Sequence, residues 1–443
     1  MRRLRVLICA FACHPDASTG GEDILGWNLV RQMARSHDVW VVTTAENREA
    51  ILAHADSAVA QSLHVVAFDL PRFFRALQHL PGGIQAYTYA WQLGIYPLAT
   101  RLHRTYAMDC FHHVTYANDW MASFIGAWLP VPYLRGPGGG AHRVPYAFLR
   151  EFSLRGRIQE YLRTLAQHLF RLDPFFRAGQ QRARALLVCN PEALQAIPHQ
   201  WRHKASPFPV NGVSLEDLAR LDAIPSRPAS GTFRVLSAGK LIRLKGFPLA
   251  IRAFARFAQQ HPNATFEIVG NGPDRSFLQR VAHDAGVGSR IQFTPWMPRA
   301  QFLEALRDCD VFLFPSLRDG GGAVVVEAMA AGQPVICFQL GGPALHVTEE
   351  CGIRITANTV EQSEQDLCRA LETLYQHPEL RARMGTAARR RIDALYRWDR
   401  LGDQLAAIYR SIVEPARTVR EEGLSGGDRS ALSESMDVAS VHP

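Results

Sequence analysis

The sequence predicts an α/β protein of two domains, each built on a parallel β-sheet. Three observations carry this reading. At 443 residues the chain exceeds one ordinary core and suits two domains of about 200 residues each. Short β-branched runs alternate with longer helical patterns along most of its length, the mark of parallel sheets with helical crossovers. A stretch rich in Pro, Asn and Gly, SPFPVNGVSLEDL, interrupts that alternation near the middle and reads as a linker around 207–211.

In the first half the β-branched runs predict strands over 6–10, 39–43, 64–68, 111–115, 133–135 and 185–189. The second half repeats the rhythm over 234–238, 265–269, 290–294, 311–314, 334–338 and 352–355. The expected domains are therefore 1–207 and 208–397. Past residue 415 the chain turns to Gly, Ser and charge (EEGLSGGDRSALSESMD), so a disordered tail is expected over 416–443. The opening MRRLRVLICAFAC has the basic start of a leader, but its apolar run is short and ends at His14-Pro15. It reads as a buried first strand.

Composition narrows the partners. With 47% hydrophobic and 20% charged residues the chain is ordinary globular protein. Its formal charge of +8 and pI near 9.2 favour anionic partners such as phosphates, nucleotides or acidic headgroups. The excess is too mild to argue for nucleic acid. No stretch approaches the roughly 20 apolar residues of a membrane span. The eight cysteines are scattered without a CxxC pair, so neither a zinc site nor a disulfide framework is expected. A cytoplasmic protein is the expectation.

Only three lysines occur against forty-six arginines, and two of them, Lys240 and Lys245, share the segment GKLIRLKG. That segment leaves the first strand of the second domain at its carboxyl end, where open α/β sheets bind ligands. A compact ammonium on a flexible stem suits a diphosphate approached from one side. The alternative is a solvated loop.

A second constellation is SLRDGGGAVVVEAMAAGQPVIC, from Ser316. A buried strand runs into Gly320, Gly321 and Gly322 and then a helix carrying Glu327. Unshielded amides at a helix start favour an anion. Glu327 can accept paired hydrogen bonds from ribose hydroxyls, and Asp319 on the loop can hold the hydroxyls of a sugar. Together these residues read as a nucleotide-sugar site.

The same residues resemble glycosyltransferase family 4, the retaining sugar transferases built of two Rossmann-like domains facing across a cleft (GT-B). That family has two acidic residues separated by seven, then an E-A-M-A-x-G-x-P-V run, and a basic pair after the first strand of its second domain. Here Asp319 and Glu327, EAMAAGQPVI, and Lys240 with Lys245 stand in those places, and PVNGVSLEDL is similar to the family's P-N-G-V element. The resemblance implies that Lys240 and Lys245 bind the diphosphate, Glu327 the ribose, and Asp319 the donor sugar. GNGPDRSFLQ, with Gly270 and Gly272, falls where the family places a loop around the nucleotide. TGGEDILGWNLVRQMA, HHVTYANDW and GPGGGAHR are similar to one branch of these enzymes, in which Gly20 and Gly21 would close on the donor phosphates. The segment 398–415 would be a helix crossing back to pack on the first domain. Two positions depart from the pattern: Asp319 stands where Glu is usual, and Ala141 follows the glycine run where that branch often has Glu.

In related enzymes a histidine near the end of a first-domain strand touches the donor sugar. His112 and His113 lie there, alternation lets only one face the cleft, and His113 is preferred. The alternative is a packed histidine. Asp308-Cys309-Asp310 matches the D-x-D of metal-dependent sugar transferases, but it precedes a buried strand and reads as a helix end and turn. No metal or other cofactor is expected. From Leu149 to Arg184 eight arginines and three acids interleave with apolar residues at helical spacing. Such a segment suits either an anionic membrane surface or a solvated helix face. With the aromatic stretch YTYAWQLGIYP (87–97) it hints at a lipid-linked acceptor at the inner face of the membrane.

The function expected is a retaining, nucleotide-sugar-dependent hexosyltransferase of family 4 type, acting on a sugar or lipid-linked acceptor in polysaccharide or glycolipid synthesis. The alternatives are a catalytically silent nucleotide-binding subunit of a polysaccharide-assembly complex, and a nucleotide-sugar epimerase.

Overall fold

A computed structural model of the chain describes residues 2–16, 21–79, 82–118, 120–225 and 231–414. The expected tail at 416–443, and Gly20, lie outside the described residues. By contact density the chain divides into two units. One comprises 1–141, 164–210 and the segment from 398; the other comprises 142–163 and 211–397.

The first unit holds a seven-stranded sheet: β1 (Arg5–Cys9), β2 (Asp38–Thr43), β3 (Leu63–Ala67), β4 (Cys110–His113), β5 (Tyr133–Gly138), β6 (Ala183–Val188) and β7 (Ala205–Pro207). Their order is β3-β2-β1-β4-β5-β6-β7 and every pairing is parallel. β7 is an addition to the expected strands. It is three residues long and ends in a proline, which an edge strand tolerates but which hides it from a β-branched pattern.

Both faces of this sheet are covered, so the central strands β1 and β2 are buried and apolar along most of their length rather than alternating. Along β1, Val6 and Ile8 pack with helices Gly21–Ser36 and Trp398–Val413, while Leu7 and Cys9 pack against Tyr87, Trp91 and Phe111. The last helix is seated closely: a Cβ at Gly402 would lie 2.8 Å from Gln32 Cβ. The aromatic stretch 87–97 is core. Tyr87 and Trp91 are buried, and Trp91 Nε1 donates to Phe68 O at 2.8 Å. Tyr89 and Tyr96 are half-buried, against Phe124 and Trp128.

The second unit holds a six-stranded parallel sheet: β8 (Phe233–Ala238), β9 (Ala264–Val269), β10 (Ile291–Thr294), β11 (Val311–Phe314), β12 (Val335–Phe338) and β13 (Gly352–Ile355). The order is β10-β9-β8-β11-β12-β13. In both sheets the chain starts in the middle, runs outward to one edge, then returns to build the other half. The reversal leaves crevices at the carboxyl ends of β1 and β4, and of β8 and β11, where ligands bind in doubly wound sheets.

Residues 142–163, read from the sequence with the first domain, group with this unit. Val144, Phe148, Leu149 and Phe152 enter its core, with Phe148 against Phe338 at 5.9 Å between ring centroids. Arg252 pairs with Glu151 at 2.8 Å.

Candidate functional site

β8 ends at Ala238, and the chain turns sharply through Gly239 (φ 152°). The loop that follows carries Lys240, exposed to solvent, and then a single 3-10 turn, Arg243–Lys245. Among the described residues the Lys240 ammonium has no hydrogen-bond or ion-pair partner. Lys245 ends the turn because Gly246 sits at φ 68°, where a Cβ would meet Pro315 O at 1.9 Å. This pins the lysine loop to the end of β11.

β11 leads through Pro315 into the second loop, whose Asp319 forms an ion pair with Lys245. The other carboxylate oxygen of Asp319, Oδ1, accepts from the amides of Gly322 at 2.8 Å and Gly321 at 3.1 Å. Gly322, at φ 63°, opens helix Ala323–Ala330. The cradle expected for a phosphate is thus formed, but Asp319 itself sits in it. Burial works to raise the Asp319 carboxyl, yet Lys245 and the two glycine amides outweigh it and hold it below the usual carboxylate range.

The loop is held from behind by a Gly-Gly-Pro turn. Gly342 N donates to Asp319 O at 3.0 Å, and Gly341 and Gly342 approach the backbone of 319–321 so closely that a Cβ on either would overlap it. His346 Nε2 donates to Gly321 O at 2.5 Å, and burial lowers that imidazole to about 4, so it is neutral at physiological pH.

Glu327 lies on the second turn of helix Ala323–Ala330. Arg299 Nη1 meets its Oε1 at 2.5 Å, while Nη2 holds Asp217 at 3.0 Å. Burial pushes the Glu327 carboxyl above its usual range against the pull of Arg299. The two carboxylates keep the guanidinium charged, above its ordinary value, despite burial.

Gly270 and Gly272 serve close packing. A Cβ at Gly270 would lie 2.0 Å from Gly239 O, and one at Gly272 would lie 2.4 Å from Leu241 O. Leu241 N donates to Asn271 O at 2.9 Å and Asp274 N to Leu241 O at 3.1 Å, zipping this loop to the lysine loop.

Sequence reading missed His142. It is buried and neutral, its imidazole lowered to about 4 by burial, then by the charges of Arg163 and Arg318, and it feels the fields of Asp319 and Lys245. Arg318 in turn pairs with Glu160. The only hint in the sequence was the glycine run before His142. Asp308 pairs with Arg234, and Asp310 accepts from Arg234 N at 2.8 Å, at the turn into β11. This is the helix end and turn expected of that D-x-D. Among the described residues no group of three or more His, Cys, Asp or Glu could hold a metal ion.

His113 and Gly21 belong to the first unit. Gly21 is exposed at the start of helix Gly21–Ser36. His112 and His113 are both buried, on opposite faces of β4. His112 Nδ1 meets Tyr409 Oη at 2.6 Å and its Nε2 donates to Gly136 O at 2.5 Å. His113 hydrogen-bonds to Gln92, and burial, reinforced by Arg135, lowers it to about 3. Its surroundings are those of a packed histidine.

The described geometry therefore gathers Lys245, Asp319, Gly321, Gly322, His142 and His346 around one switch point. Residues 223–391, which contain most of these groups, match the family described as Glycosyl transferases group 1. The chain is 31% identical over 179 residues, 39% of its length, to a GDP-mannose-dependent monoacylated alpha-(1-6)-phosphatidylinositol monomannoside mannosyltransferase of Corynebacterium glutamicum, covering 45% of that protein. It spans less than half the length of the curated relatives it matches. Sucrose-phosphate synthase from Thermosynechococcus elongatus superposes with a TM-score of 0.62 at 20% identity, over 93% of this chain and 99% of that one. HepE of Anabaena, in complex with UDP and glucose, superposes at 0.58 and 17% identity, over 92% and 100%. The segment that carries the lysine loop, the Asp319 loop and Glu327 thus matches the group 1 glycosyl transferases, and the two α/β units have the fold of these solved structures.

Proposed function

We propose that this protein transfers a hexose from a nucleoside-diphosphate sugar to an acceptor, with retention of configuration, as a glycosyltransferase of family 4 type. The observation that carries the reading is the meeting of Lys245, Asp319 and the Gly321 and Gly322 amides at the β8/β11 switch point, inside the segment that matches group 1 glycosyl transferases.

In this reading Lys240 and Lys245 draw the diphosphate and stabilise the charge that develops on it as the glycosidic bond breaks. The positive field comes from these lysines, so the reading calls for no metal ion. Glu327, aimed by Arg299, receives the ribose hydroxyls. Asp319 turns to the hydroxyls of the transferred sugar once phosphate takes its place at Lys245. The departing phosphate assists the incoming acceptor hydroxyl. The acceptor is a sugar or a lipid-linked sugar in glycolipid or cell-surface polysaccharide synthesis, met at the cytoplasmic face of the membrane. Membership of glycolipid-building mannosyltransferases among the relatives supports that class.

The nucleobase is open to direct test, since one relative is named for GDP-mannose and one solved neighbour holds UDP. Thermal stabilisation by UDP, GDP, ADP and their sugar conjugates should single out one nucleotide, and the Lys245→Ala variant should lose the shift. NMR of the product anomer then reads retention. Stabilisation by no nucleotide would overturn the proposal in favour of a silent subunit, and sugar isomerisation without acceptor would favour an epimerase.

A further inference from the structure

Helix Leu154–Phe170 is inside out. Leu154, Ile158, Tyr161, Leu162, Leu165 and Leu169 are each about half exposed or more, from 49% to 72%. At the helical repeat these six fall in an arc of roughly 100°. The opposite side is mostly polar and makes the contacts to protein, joined at the helix end by Phe170 against Trp120 at 5.3 Å between ring centroids. Glu160 pairs with Arg318, Arg163 donates to His142 O at 3.2 Å, and Gln167, the one buried residue of the helix, donates to Gly140 O at 2.7 Å.

A helix on a globular surface normally buries its apolar stripe. Here the stripe is turned outward and continued past the helix end by Leu172, which is 70% exposed. Its borders are cationic: Arg155 lies on one side of the arc and Arg157 on the other, both exposed, the latter with its guanidinium donating to Phe152 O at 3.2 Å and Arg150 O at 3.3 Å. The helix has a single acid, Glu160, and that acid is engaged by Arg318. No acid therefore faces outward with the leucines.

We infer that this face docks on an anionic lipid surface, with the six apolar side chains in the acyl boundary and Arg155 and Arg157 at the headgroups. Aliphatic and tyrosine side chains on one face with flanking arginines are the pattern of helices that lie in a membrane interface. A second copy of this chain would bring like charges together across the same face, whereas anionic headgroups neutralise them. Among the described residues no helix is long and apolar enough to cross a membrane, so this helix would attach from the surface. The inference is independent of the sugar-transfer reading.

The test is flotation of the full chain with vesicles of phosphatidylcholine alone or mixed equally with phosphatidylglycerol. Binding to the mixed vesicles is expected, weakened by salt. Leu162→Glu/Leu165→Glu should lower the partition at least about tenfold, with the melting temperature unchanged because both side chains are exposed. Arg155→Gln/Arg157→Gln should lower it about twenty-five-fold, about fivefold for each arginine at the surface, and remove most of the salt dependence. An Ile158→Trp probe should shift its emission to the blue on the mixed vesicles. Equal binding by the Glu variant, equal binding to neutral vesicles, or no binding would overturn the inference. A dimer of the wild type that the Glu variant converts to monomer would overturn it in favour of self-association.

Discussion

Replacing Asp319 by Asn should tighten the binding of a bare nucleoside diphosphate. The carboxylate holds Lys245 and two backbone amides, at 3.1 and 2.8 Å, so a diphosphate that is to reach those donors must displace it. Hydrogen bonds to charged groups contribute about 1.5–3 kcal/mol each. Asn keeps an acceptor for the amides and releases the lysine. The cost of displacement therefore falls by one charged contact, about 1.5 kcal/mol, or roughly tenfold in Kd. The folded protein should lose a similar amount, lowering its melting temperature by about 3–6 °C for a unit of this size. The stability lost has a sign in pH. Because Asp319 is held below the usual carboxylate range, its contribution is present above pH of about 4 and disappears as pH falls through its folded value. The Asn variant should lack that part of the acid limb. Calorimetric titration with the preferred nucleotide decides the matter, and parallel titration with its sugar conjugate separates the two roles of Asp319. Unchanged or weaker binding of the bare nucleotide would refute the shared-cradle reasoning, while a loss confined to the sugar conjugate would leave Asp319 as a sugar contact alone.

Other residues give sharper structural outcomes. Arg299→Ala strands Glu327 and Asp217, and because Arg299 is partly exposed the loss should be about 2 kcal/mol by urea denaturation, with weakened nucleotide binding. Gly270→Ala places a Cβ 2.0 Å from Gly239 O at φ 150°, so a loss of about 3 kcal/mol or more is expected, with Lys245 displaced from Asp319. His112, His113, His142 and His346 are buried with lowered pKa values. A depressed base favours the native state above its unfolded pKa, so stability should fall as pH drops from about 6.5 to about 4, by up to roughly 3 kcal/mol per histidine. Melting curves across that range should flatten by one proton's slope in His113→Gln, and an unchanged slope would mean that His113 is already protonated in the fold.

The twelve strands expected from β-branched runs all recur, most with shifts of a residue or two at their ends and β5 three residues longer than expected, because its extension through Gly136-Pro137-Gly138 carries no β-branched residue. β7 escaped since its three residues carry no such run. The site was legible as two loops and not as one constellation. Lys245 and Asp319 are 74 residues apart, and only the neighbouring of β8 and β11 makes them touch. Arg299 and Asp217, 82 residues apart, are likewise joined by packing between helices that the sequence places in separate crossovers. His142 offered no periodic signal at all, because its role near the site depends on residues 142–163 grouping with the second unit.

The same limit explains the two places where composition was ambiguous. A basic amphipathic pattern over 149–184 has one apolar and one polar side in any reading, and periodicity alone does not choose which side meets the protein. Glu160, Arg163 and Gln167 make that choice through specific partners, Arg318, His142 O and Gly140 O, and the leucines are turned outward as a consequence. At the glycine loop, too, a run of unshielded amides predicts an anion without saying whose. Asp319 is close enough along the chain to fold back onto Gly321 and Gly322, as a short acidic side chain does at a helix start, and Lys245 completes its coordination. A Glu, usual at this place in the enzymes the sequence resembles and one methylene longer, would place its carboxylate farther from those amides. The substitution at this position is thus a change in what occupies the cradle as well as in reach toward a sugar. Asp319→Glu should then lower the competition at Lys245 and bind the bare nucleotide more tightly than wild type, while an affinity equal to wild type would mean that the longer side chain folds back just as well.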